Sequence, residues 1–171
     1  QWPARLAVRI TEREPFARWG ENEALSTEGI VFAPGSVLLP ATLPLLGGEA
    51  ARAPEVMATY TQLVDRLAET PLTLAGLTLD ARGEWIGSTH GGISLRFGRS
   101  NPVEQVQRLK NIVLPALSRR LESVARIDLR YANGFAVGWK SAAEAAAEKT
   151  FIPDAPAPSA AAEGVVPGAT P

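Results

Sequence analysis

Between residues 125 and 140 the chain reads ARIDLRYANGFAVGWK, two alternating runs around a turn signal. Ile127, Leu129 and Tyr131 alternate with polar residues, and Phe135, Val137 and Trp139 with small ones, the period of two of half-buried strands. Ala132-Asn133-Gly134 marks the turn, and it allows two registers. A two-residue Asn133-Gly134 loop pairs Tyr131 with Ala136 and sets Asp128 and Arg130 on the face of Val137 and Trp139. A three-residue loop, with Gly134 left-handed as a G1 bulge, pairs Tyr131 with Phe135, Leu129 with Val137 and Ile127 with Trp139. Only the second keeps the apolar residues together, so it is the expected register. After Trp139 the composition turns to Ala, Glu, Pro and Ser. The strand over 135–140 is therefore expected to be the last ordered element and an edge, whose unpaired N–H and C=O groups suit strand addition by another chain. The plainer alternative is an ordinary closing hairpin covered by the tail or by a neighbour.

Upstream, the same reading predicts a strand over 5–11, an extended piece over 15–19 and a short strand over 30–32. An irregular connection rich in Pro and Gly follows, expected to be packed by Leu38, Leu39, Leu43, Leu45 and Leu46. Residues 54–69 predict a helix: Pro54 suits its first position, and Val56, Tyr60, Leu63, Val64 and Leu67 form one apolar stripe in which Tyr60 is a packing residue. Residues 72–80 predict a strand bent or bulged at Gly76. Residues 84–88 and 93–97 predict a hairpin around Thr89-His90-Gly91-Gly92. Asn101 is an N-cap, with Glu104 placed for a capping box, to a helix running to Arg120 and kinked at Pro115. AAEAAAEK offers at most a marginal helix, and the Ala/Pro-rich remainder reads as disordered. The fold class is α+β, a mainly antiparallel sheet with two amphipathic helices on one face and a C-terminal edge hairpin.

DLRYANGFAVGW resembles the C-terminal signature of the FtsQ/DivIB family, bitopic cell-division proteins. EREPFARW, STEGIVF, LPLLGG, an amphipathic helix and LDARGEW precede it in the family's order, so the resemblance covers roughly residues 2 to 140. It implies the end of a POTRA domain over 1–19, an FtsQ-type β domain over 20–140 and a tail over 141–171. It further implies a non-enzymatic divisome scaffold, a fragment on the periplasmic side of a single-pass inner-membrane protein, recruiting the coiled-coil proteins FtsB and FtsL by β-augmentation on the last strand. The implied partner-binding positions are Arg82, Tyr131, Asn133, Gly134, Phe135, Val137 and Trp139, with Asn133 standing where the family also uses Ser. Arg82 would pair with an acidic residue of the partner, while Tyr131 and Trp139 are of the kind that anchors interfaces. The plainer reading makes Tyr131 and Trp139 ordinary hairpin core.

Composition narrows the chemistry. The 171 residues carry a net charge of −1, giving no electrostatic ground for nucleic acid or an anionic membrane surface as partner. With no Cys and one His, neither a disulfide framework nor a zinc-type ligand set can be assembled. No run approaches the ~18 apolar residues of a membrane span, and the start at Gln1 reads as that of a fragment. No catalytic or phosphate-binding motif is present, so no enzyme, metal or cofactor is expected. Two rivals remain: a peptidoglycan- or carbohydrate-binding module using exposed aromatics such as Trp85, and a hydrolase built on His90 or on the Asp80 and Glu84 carboxylates.

Overall fold

The computed structural model describes residues 13–140 and, as backbone, 149–153. The strand expected over 5–11 and the Ala-rich segment after Lys140 lie outside the described residues.

One sheet of ten strands organises the chain, in the order β10-β9-β8-β7-β6-β5-β4-β1-β2-β3. Its strands are β1 (Pro15–Trp19), β2 (Glu23–Ser26), β3 (Val31–Phe32), β4 (Leu45–Gly47), β5 (Leu74–Leu79), β6 (Trp85–Thr89), β7 (Ser94–Gly98), β8 (Val124–Asp128), β9 (Gly134–Trp139) and β10 (Lys149–Pro153). Pairing is antiparallel except at β1/β4, β4/β5 and β7/β8. The β4/β5 and β7/β8 joins are crossovers that carry the helices, whereas the chain passes from β1 to β4 through β2 and β3. The fold is α+β, as the hydrophobic pattern predicts.

Helix α1 (Ala53–Leu67) places Val56, Leu63 and Leu67 in the core, and Pro54 stands in its first turn. Tyr60 packs edge-on against Phe16 and donates from its hydroxyl to the Leu74 carbonyl at 3.4 Å, so its role is structural. Val64, expected on the stripe, is instead on the exposed side. The second helical run opens at α2 (Pro102–Arg108), where the Asn101 side chain accepts from the Val103 N–H at 3.0 Å. It then widens into a π-helical turn, Leu109–Val113, and closes as α3 (Leu114–Leu117). Pro115 explains the widening: its ring would collide with the carbonyl four residues back, and the Leu114 N–H reaches to Leu109 O instead.

The bulge expected near Gly76 is present, between Leu74 and Gly76. At Gly76 the backbone of β4 approaches so closely that a Cβ would stand 2.3 Å from the Leu45 carbonyl oxygen. The connection before β4 is packed only in part. Of the expected anchors Leu46 is buried and Leu39 and Leu43 are partly buried, whereas Leu45 is 42% and Leu38 95% exposed.

The closing hairpin departs from both registers open in the sequence. Ile127 faces Val137 and Asp128 faces Ala136, with a bulge before Val124 pairs with Trp139. The expected pairing of Ile127 with Trp139 is displaced by two residues, which preserves the faces: Ile127, Leu129, Phe135 and Val137 all enter the core. Gly134 is not left-handed, so no G1 bulge forms. The loop is longer, running over residues 129–133, and Leu129 donates its N–H to the Arg96 carbonyl of β7 at 2.8 Å.

The second correction concerns the edge. Against the expectation of a last, open strand over 135–140 followed by a disordered tail, β10 runs antiparallel along β9, with Lys149 opposite Gly138 and Pro153 opposite Gly134, which is the tail-covered alternative. An Ala/Pro-rich context hides this strand, whose sequence is KTFIP.

Candidate functional site

At one end of the sheet the β8–β9 loop and the β5–β6 turn are tied together by Arg130. Its guanidinium donates to both carboxylate oxygens of Asp128, at 2.9 Å from Nε to Oδ1 and 2.7 Å from Nη2 to Oδ2. Its backbone N–H also donates to Asp128 Oδ1, at 3.2 Å. Residues two apart on an extended chain share a face, so the Asp-x-Arg spacing sets up this fork without help from the rest of the fold. Arg130 also reaches Glu84 at 3.8 Å. Its stem crosses Gly98, where a Cβ would lie 2.8 Å from Arg130 Cγ, and Gly98 itself has φ +71°.

Asp128 is 7% exposed. Burial pushes its carboxyl up, but the hydrogen bonds from Arg130 and the charges of Arg130 and Arg96 outweigh this, holding the pKa below its ordinary value. Arg130 is raised in turn, chiefly by its hydrogen bond to Asp128.

The β5–β6 turn is built by Asp80, whose Oδ1 accepts from the N–H groups of Arg82 and Glu84, each at 2.8 Å. That leaves the Arg82 side chain exposed, with no side-chain ion pair or hydrogen bond among the described residues. Through Glu84 and Arg130 the turn bearing Arg82 is joined to the loop bearing Tyr131 and Asn133.

The proposed partner-binding positions divide into three kinds. Arg82, Asn133 and Tyr131 are exposed at the loop ends, Tyr131 at 44%. Phe135 and Val137 are fully buried, so they can offer a partner only backbone. Gly134 is buried, and its carbonyl accepts from the Arg108 guanidinium. Trp139 lies between: it is partly buried against the core, and the Arg120 guanidinium sits 4.1 Å from its ring centroid, a cation–π contact. Trp139 thus packs against the core along part of its side chain and is exposed along the rest.

The positions of β9 that alternate with this buried face are Ala136 and Gly138, small residues bordered by Arg126 and Asp128 of β8. The sequence reading missed Asp128, Arg130, Glu84, Arg108 and Arg120 as parts of this end of the sheet. Only the Asp128–Arg130 spacing was a usable signal; the other contacts come from elements distant in the chain.

The rival chemistries find little footing. Trp85 is 5% exposed and offers no aromatic face to a sugar. Asp80 is engaged in turn capping, and His90 is exposed in its turn. An open groove of about 780 Å³ has Leu72, Ile93 and Leu114 in its lining and Glu69, Lys110, Glu122 and Lys140 around it. Among the described residues no three His, Cys, Asp or Glu side chains cluster to hold a metal. No helix among them is long and apolar enough to cross a membrane.

Comparison with known proteins finds relatives of this chain. The family described as cell division protein FtsQ/DivIB, C-terminal, matches residues 17–130. The cell division protein FtsQ of Xanthomonas campestris is 39% identical over 80% of this chain and 49% of its own length. Those of Shewanella oneidensis and Allochromatium vinosum are 37% and 36% identical, over 83% and 81% of this chain and 54% and 55% of their own. The chain thus spans about half the length of the curated relatives it matches. On the matched domain and these identities, the chain belongs to the FtsQ/DivIB family of cell-division proteins.

Proposed function

We propose that this chain is the periplasmic part of a single-pass inner-membrane division protein, a non-enzymatic scaffold that recruits FtsB, together with FtsL, by β-augmentation on β9. On this reading residues 1–19 are the end of a POTRA domain, 20–140 the β domain, and 141–171 a tail. One observation carries the proposal: the outer edge of β9 accepts an antiparallel strand over Gly134–Gly138. Backbone pairing there supplies register and most of the affinity, while exposed side chains at the strand ends supply selectivity. Tyr131 is the exposed aromatic anchor, and Arg82 is the cation placed to meet an acidic residue of the partner.

The test is binding of the periplasmic C-terminal segment of FtsB to the wild-type chain, to Tyr131→Ala and to Arg82→Ala, with folding followed by circular dichroism. Both side chains are exposed, so each variant should keep its stability within about 0.5 kcal/mol. Tyr131→Ala should weaken binding about 30-fold, the scale of a hot-spot residue at about 2 kcal/mol. Arg82→Ala should weaken it less, and with reduced salt dependence. Unchanged binding in both folded variants would move the interface off this end of the sheet.

A further inference from the structure

We infer that the β9 edge is gated by the chain's own β10, which a partner strand must displace. The inference rests on the strand-addition reading above and adds a regulatory step to it. An antiparallel strand from the partner would use the same outward N–H and C=O groups of β9 that β10 now uses, from Gly134 to Gly138. Two strands cannot pair with one edge at once, so the two are mutually exclusive.

Three features make β10 an exchangeable occupant rather than a permanent strand. It is short, Lys149–Pro153, and it is the outermost strand, so it is paired on one side only. Pro153 stands opposite Gly134 and has no N–H, which ends the ladder at that point. Only residues 140–148 connect it to β9, so it rebinds intramolecularly, at an effective concentration on the order of millimolar. A partner therefore meets an edge that is closed most of the time, and its apparent affinity falls by the fraction of time the edge is open. The gate also covers the last strand of a sheet that would otherwise present an unpaired edge to other chains.

The experiment compares the full chain with its Thr150→Pro/Phe151→Pro variant. Along an antiparallel ladder alternate residues face the neighbouring strand, so one of two adjacent prolines must remove a donor whichever parity holds. Amide hydrogen exchange is read across residues 134–138. Binding is measured for two probes, a synthetic peptide of residues 147–155 and the periplasmic C-terminal segment of FtsB. The variant should lose protection at alternate β9 amides and keep the rest of its exchange pattern. Both probes should bind it about tenfold more tightly than the parent, as for an edge closed about nine-tenths of the time. Unchanged β9 protection would overturn the gate, since β10 would not be the occupant. Equal binding of each probe to parent and variant would overturn it too, and if the FtsB segment bound both well the scaffold reading would survive. Selective binding of the 147–155 peptide to the variant, with no binding of FtsB to either protein, would uphold the gate and overturn the proposed partner.

Discussion

Asp128 is the residue on which the organisation of the loop end depends. It is nearly buried, it takes the Arg130 fork, and its pKa is held below the ordinary 3.8. A carboxyl depressed by folding contributes stability that is fully present above its unfolded value and is lost as pH falls through the lower folded value. Asp128→Asn should therefore flatten the loss of stability below about pH 4, measured as urea midpoints across an acid series. A parallel loss in wild type and variant would mean that the pair contributes nothing. Gly98 supports the same residue pair from below. A side chain there would be strained at φ +71° and would push on the Arg130 stem, so Gly98→Ala should cost about 1–2 kcal/mol. The Asp128–Arg130 pair was legible in principle from spacing alone. Glu84 and Gly98 were not, because their proximity depends on how β5–β6 and β7 align with β8.

At the scale of elements, the alternation of apolar residues determined faces but not register. The pattern at Ile127, Leu129, Phe135 and Val137 identifies which residues turn inward, and they do. A slide by two residues leaves that pattern intact, so alternation excludes only odd shifts. Nor can local turn chemistry anticipate the hydrogen bond of Leu129 to Arg96, which continues the β7/β8 ladder past Asp128. The helix around Pro115 was legible as interrupted because proline's missing N–H is a local fact, although its resolution as a π turn depends on packing. Gly76 gives the sharpest test of an element. With the Leu45 carbonyl 2.3 Å from a Cβ there, β4 and β5 cannot keep their parallel pairing beside a side chain. Gly76→Ala should destabilise the chain by about 3 kcal/mol, as severe overpacking does, with exchange protection lost first at β4 and β1. A change below ~0.5 kcal/mol would mean that the approach relaxes freely.

The whole sheet has two ends, and they are closed differently. At one end β3 contributes only Val31–Phe32, too short an edge to template a long ladder. At the other, β9 is long enough to accept five paired residues, and β10 covers it. The tail was the least legible part of the chain: a strand of KTFIP in an Ala/Pro-rich setting has no amphipathic partner in sequence, and only an available edge makes it a strand. Its presence bears on solubility as well as on binding. With a net charge of −1, repulsion between copies is weak, so an uncovered β9 should pair with β9 of another molecule. The Thr150→Pro/Phe151→Pro variant should then show concentration-dependent self-association in sedimentation velocity that the parent lacks. Adding the 147–155 peptide should reverse it, because an occupied edge cannot template a second copy. Self-association that the peptide leaves untouched would place the sticky surface elsewhere, the exposed Val37 and Leu38 being the next apolar surface to examine.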